Sequence, residues 1–143
     1  MDIELTSGSL SAEDQATVSA GFEVHTQTAD APGFQKDRLN WLVRNDDNSL
    51  RAALTADVLW DWLYVDELWV DTELRGQGVG RRLMRAAETF ATGQQLPGVW
   101  LWPQRWQAAE FYAALGYVEV TRVENFPNGP ERKGFRNTLT SRH

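Results

Sequence analysis

With 143 residues, 42% of them hydrophobic and 24% charged, the chain is large enough to bury a core and too apolar to remain disordered. Its net charge of −6 argues against a general nucleic-acid binder, and the lack of cysteine excludes a disulfide framework, a cysteine-based zinc site and an acyl-cysteine intermediate. His25 and His143 are the only histidines, one near each end, too little material for a histidine metal site or a Ser-His-Asp triad.

No apolar run approaches the roughly 20 residues of a membrane helix, and the start MDIELTSGSL has neither a basic end nor an apolar stretch. The expectation is a cytoplasmic, single-domain protein over residues 1–143 without membrane or nucleic-acid partners. The charge is unevenly spread. Residues 1–33 hold six acids and no Lys or Arg, whereas Arg75, Arg81, Arg82 and Arg85 cluster in mid-chain. A local basic cluster in an acidic protein fits a defined anionic ligand.

In chain order, Ser11-Ala-Glu-Asp14 reads as a helix start with Ser11 as N-cap; the helix runs to the His25 region and ends before Asp30-Ala-Pro-Gly33. Asn40 to Arg44 and Leu50 to Val58 read as strands around an Asn45–Asn48 turn. A second turn at Trp60-Asp-Trp62 leads into a strand from Leu63 to Val70. From Val79 the period becomes helical, with Leu83, Met84, Ala87, Phe90 and Ala91 on one face and Gly93 as the expected C-cap. Val99 to Trp102 reads as a short buried strand, and about Trp106 to Leu115 as a helix closed by Gly116. Tyr117 to Val123 and Arg132 to Thr140 form a terminal hairpin around Pro127–Pro130. Leu63–Val70, the helix after it and Val99–Trp102 make one right-handed parallel crossover; the rest of the sheet is expected antiparallel. The fold class is mixed α/β (α+β), a mostly antiparallel twisted sheet with helices on both faces.

Arg75-Gly-Gln-Gly-Val-Gly80 lies between that strand and that helix. Gly76, Gly78 and Gly80 permit a tight turn and remove Cβ atoms that would block a ligand. The helix then opens with unpaired N–H groups and a positive dipole end. Arg81 and Arg82 in its first turn are unfavourable for a bare helix and favourable beside a diphosphate. A Walker loop needs Gly-Lys-Ser/Thr at its end, and a Rossmann fingerprint needs a third Gly at Arg81 or Leu83; neither is present.

Leu68-Trp-Val-Asp-Thr-Glu-Leu-Arg-Gly-Gln-Gly-Val-Gly80 resembles the acetyl-CoA signature of the GNAT N-acetyltransferases, with Arg75, Gly78 and Gly80 at its fixed positions. Ala108-Ala-Glu-Phe-Tyr-Ala-Ala-Leu-Gly-Tyr117 resembles the family's later helix and turn. Arg105 stands where many members have Asn, and Trp106-Gln-Ala108 resembles a branch with an aromatic-Gln-Ala sequence there. The resemblance spans about residues 63–118. It implies acetyl-CoA as cosubstrate, pantetheine pairing with the backbone of Leu68, Trp69 and Val70, and pyrophosphate held by the loop of Arg75, Gly76, Gln77, Gly78, Val79, Gly80 and Arg81. It also implies Tyr112 as the acid that protonates the departing thiolate.

An alkylamine is mostly protonated at neutral pH, so transfer also needs a base. Asp66 and Glu67 enter the site on one strand, and simple alternation sends them to opposite faces. Glu67 is the expected base, since Asp66 then shares a face with Leu68 and Val70. The expected acceptor is a small-molecule primary amine attacked directly in a ternary complex. The alternative class is an acyl-CoA-binding sensor or partner module without turnover. A homodimer is left open, and no metal is expected. Six of seven tryptophans fall within residues 60–106, and Trp60 and Trp62, set in a turn, are expected to line an aromatic acceptor pocket.

Overall fold

The computed structural model describes residues 1–29, 36–103, 109–124 and 132–139. The contacts divide into two compact units, Met1–Phe34 and Gln35–His143. The first is built on helix α1 (Ala12–Thr28), capped as the sequence predicts: the Ser11 hydroxyl accepts from the Asp14 amide at 3.0 Å, with Glu13 and Asp14 in the first turn. Phe22 and Val24 on this helix are exposed. No helix among the described residues is long and apolar enough to cross a membrane.

The second unit contains β1 (Lys36–Arg44), β2 (Leu50–Leu59), β3 (Trp62–Val70), a short 3₁₀ turn (Thr72–Leu74), α2 (Val79–Gly93), β4 (Gly98–Leu101), α3 (Ala109–Ala114), β5 (Val118–Val123) and β6 (Arg132–Thr138). The strands make one sheet in the order β1-β2-β3-β4-β6-β5. β3 and β4 are parallel; the other pairings are antiparallel, as expected. β6 lies between β4 and β5, so the last strand in sequence fills the place beside the crossover.

β1 begins four residues before Asn40, because Lys36–Leu39 pair with Ala56–Leu59 despite their polar sequence. The β1–β2 turn closes through Asn45 N–H to Ser49 O at 3.0 Å, with Asn48 at φ 70°, a conformation Asn tolerates. The α2 terminus departs from expectation. Gly93 is the last helical residue, and the left-handed position falls on Gln95 at φ 61°. Leu96 N–H reaches Ala91 O and Gln95 N–H reaches Thr92 O, a Schellman closure without glycine. Gly116 at φ 98° fills the equivalent place after α3, as predicted. The Asp30–Gly33 turn, the 104–108 approach to α3 and the 125–130 turn lie outside the described residues.

Leu54, Leu63, Val65, Val99, Leu101 and Phe135 cover one sheet face, against Leu83, Met84, Ala87 and Ala91 of α2 and Tyr112 of α3. Each large side chain so buried contributes about 1.5–3 kcal/mol. A polar tie crosses this core. Glu88 accepts from Arg85 Nη1 at 2.6 Å and from the Tyr117 hydroxyl at 2.7 Å, and Arg85 also donates to Leu115 O, joining α2 to the end of α3.

Burial pushes the Tyr112 phenol up to about 12, and burial with the Glu88 carboxylate pushes Tyr117 up as well. A raised folded-state pKa favours the protonated fold: its contribution is complete below pH 10 and is lost as pH rises through the folded value. Unfolding free energy is therefore expected to fall steeply from about pH 10 to 12, by roughly 2–3 kcal/mol for Tyr112 alone. Urea titrations followed by circular dichroism across that range check this, and a flat profile would contradict it.

Candidate functional site

The Asp71 carboxylate starts the loop after β3 by accepting from the Glu73 amide at 3.0 Å, and Arg51 of β2 clamps Asp71 at 3.1 Å and Glu73 at 2.8 Å. The Glu73 amide and then Arg51 hold the Asp71 carboxyl below its ordinary value. Arg51, not singled out in the sequence, thus fixes where the glycine turn begins. Arg75 Nε donates to Val70 O at 3.4 Å, and Gln77 Nε2 donates to Glu73 O at 3.1 Å, so these two side chains brace the loop from within.

Gly76 and Gly78 have φ of 80° and 77°, and a Cβ built on either would point into open space. Gly78 is the N-cap of α2 and brings no capping side chain. The first helical bond is Arg82 N–H to Gly78 O at 3.0 Å, so the amides of Val79, Gly80 and Arg81 precede the helical ladder. No acid occupies the first turn. The third glycine serves packing instead. A Cβ on Gly80 would lie 3.4 Å from the Phe111 ring and 3.7 Å from Val70. Gly80 therefore permits the start of α2, the end of β3 and α3 to pack together. Phe111 in turn meets Tyr112 edge-on at 5.0 Å, and Tyr112 stacks on Phe135 at 5.9 Å.

β3 is where strand alternation fails. Thr55 pairs with Glu67 and Ala56 with Val65, which leaves Asp66 as the extra residue of a bulge. Asp66 and Glu67 consequently do not face opposite sides as expected. Both approach one guanidinium, with Arg38 3.0 Å from Asp66 and 3.7 Å from Glu67. Arg38 also pairs at 3.0 Å with Asp57, a buried carboxylate whose Oδ1 has no hydrogen-bond partner among the described residues. Thr55 Oγ1 donates to Glu67 at 2.9 Å. Arg38 and Asp57 carried no sequence signal, since the link is a cross-strand register.

The β3–β4 ladder ends at Val65–Leu101, beside the bulge. Asp71 N–H donates to Arg51 O, so the two-residue alternation turns the Trp69 peptide toward β2 and those of Leu68 and Val70 toward the opposite edge. Of the three backbone positions expected to meet a ligand, two thus face the β4 side. Trp60 and Trp62 lie elsewhere. They line an apolar depression of about 620 Å³ with Leu59, Pro97, Trp100 and Val120, at the start of β3. The glycine loop follows the other end of that strand, eight residues of rise away, roughly 26 Å.

Comparison with known proteins places this geometry. The model of the acetyltransferase (GNAT) family matches residues 10–117. The chain belongs to that family. Blasticidin-S acetyltransferase of Streptomyces morookaense is 37% identical over 82 residues, 56% of this GNAT chain, which there spans 60% of the relative's length. An acetyltransferase of Agrobacterium fabrum is 33% identical over 94 residues, 66% of this chain and 69% of its own. A crystal structure from Agrobacterium tumefaciens assigned to the acetyltransferases superposes with a TM-score of 0.81 at 25% identity, covering 96% of this chain and 99% of that one. The sheet order and crossover described above are thus those of a GNAT fold.

Proposed function

We propose that this GNAT chain transfers the acetyl group of acetyl-CoA to a primary amine on a small molecule, by direct attack in a ternary complex. One observation carries the reading: an uncapped, acid-free start of α2 behind two left-handed glycines with open space above them, a fit for diphosphate. The amides of Gly76 to Arg81 hold the pyrophosphate, with Arg75 and Gln77 shaping the loop. Acetyl-CoA, when bound, supplies the activated acetyl thioester. The peptide groups of Leu68 and Val70 are assigned to the pantetheine arm and the acetyl oxygen. Glu67 takes a proton from the acceptor ammonium, directly or through water, so that the neutral amine attacks; the Tyr112 hydroxyl gives a proton to the departing sulfur and is reprotonated as the new amide nitrogen loses its excess proton. A relative named for blasticidin-S supports a small-molecule acceptor.

Thiol release from acetyl-CoA over a panel of amines tests the activity. No amine-dependent release across the panel would favour an acyl-CoA-binding module instead. The base is tested by Glu67→Gln, which is expected to lower the rate most near neutral pH and recover in part at alkaline pH, where free amine is abundant. Because Arg38 contacts both carboxylates, Asp66→Asn belongs in the same experiment. The alkaline-rescue pattern in Asp66→Asn alone would transfer the role to Asp66.

A further inference from the structure

Three carboxylates, Asp57, Asp66 and Glu67, meet at the one guanidinium of Arg38. Register brings them there. Arg38 and Asp57 are direct partners across β1 and β2, and Asp57 is in turn the partner of Tyr64 on β3. Thr55, two residues before Asp57 and so on its face, is the partner of Glu67. In a regular strand Tyr64 and Glu67, three apart, would face opposite sides. The bulge at Asp66 returns Glu67 to the face of Asp57 and Tyr64.

The carboxylate oxygens are not equivalent. Arg38 Nη1 donates to Asp57 Oδ2 at 3.0 Å, which anchors the guanidinium on a carboxylate only 8% exposed. Its Nη2 lies 3.0 Å from Asp66 Oδ2 and 3.7 Å from Glu67 Oε1. Thr55 Oγ1 donates to that same Oε1 at 2.9 Å. Glu67 Oε2 has no hydrogen-bond or ion-pair partner among the described residues, and its side chain is 68% exposed. The Tyr64 phenol, pushed up by burial and then by Asp66, brings no charge at neutral pH.

We infer that Arg38, anchored by Asp57, is a positioning residue for proton removal from the acceptor. With Thr55 it pins Oε1 of Glu67, and it occupies Asp66, so that Glu67 Oε2 is the oxygen that meets the ammonium. An N–H bond of the ammonium breaks, its electron pair stays on nitrogen, and the proton goes to Oε2. The inference rests on the assignment of Glu67 as base. Lysine does not replace Arg38, because a single ammonium does not span Asp57 on one side and Asp66 with Glu67 on the other.

The test uses acetyl-CoA and the fastest amine of the panel, with rates measured from about pH 6 to 10. Arg38→Met should lower kcat about tenfold or more near neutral pH, recover in part at alkaline pH, and leave the acetyl-CoA KM unchanged. Arg38→Lys should regain little of the loss. Because Arg38 acts through Glu67, adding Arg38→Met to Glu67→Gln should slow the enzyme no further than Glu67→Gln alone. Removing Arg38 strands the buried Asp57, so Arg38→Met with Asp57→Asn takes its place if circular dichroism shows the single variant misfolded. No thiol release across the panel removes the acetyl-transfer reading and this inference together. Glu67→Gln at the wild-type rate removes the base, and the inference with it. A slow Glu67→Gln beside a fully active Arg38→Met overturns the inference alone. So do losses that multiply in the double variant, since the two residues then act independently.

Discussion

Replacing Tyr112 by Phe is expected to lower kcat by about 10²-fold, close to 2.7 kcal/mol of barrier, with little change in acetyl-CoA affinity. The reasoning joins chemistry to packing. A thiolate leaving from a thioester needs a proton at neutral pH, and the Tyr112 phenol, pushed up to about 12 by burial, stays protonated there. The ring is already fixed by Phe111, Tyr117 and Phe135, so Phe fills the same slot and the fold should persist. Steady-state and single-turnover rates on the variant separate the two roles of the residue. Unchanged single-turnover chemistry would leave Tyr112 as a core residue only. A fall in kcat together with a comparable fall in thermal stability would point to lost packing instead.

Gly78→Val is the second large effect, with acetyl-CoA affinity expected to fall at least about tenfold, or about 1.4 kcal/mol. A side chain at this position meets no protein atom within 4 Å, so it enters the space assigned to the pyrophosphate. The backbone there is left-handed at φ 77°, and a β-branched residue in that conformation costs about 1–2 kcal/mol of strain by itself. Gly78→Ala carries much of that strain with less bulk, so titration of both variants separates blockage from distortion. Equal affinities in folded wild type, Ala and Val proteins would remove the loop from the cofactor site. Gly80 is unsuited to this test, because a side chain there meets Phe111 before it meets any ligand.

Much of this protein is determined within short windows of its sequence. The Ser11 cap, the apolar stripe of α2, the left-handed Gly116 and the glycine-rich turn each depend on residues within a turn or two of one another. Element order follows from those signals, and a strand–helix–strand unit of this length has one favoured hand, so the parallel crossover was legible as well. The loop proposed here as the diphosphate cradle was legible for the same reason: glycines, helix start and arginines are contiguous.

What required the tertiary structure is set by contacts distant in sequence. Whether Asp66 and Glu67 diverge or converge depends on how β3 registers with β2, and the bulge at Asp66 turns both toward Arg38, nearly thirty positions away. Asp57 and Glu88, acids buried in ion pairs, look like surface residues until their partners Arg38 and Arg85 are in place. Gln95 rather than Gly93 takes the left-handed position because hydrogen bonding at the helix end, not composition, decides where α2 stops. Trp60 and Trp62 lie in the same stretch of sequence as the glycine loop, but the extended β3 between them carries the chain about 3.3 Å per residue and leaves them at the far end of that strand. Local propensity wrote the elements and the loop; strand register, which sums weak pairings across the whole sheet, decided which side chains share a face.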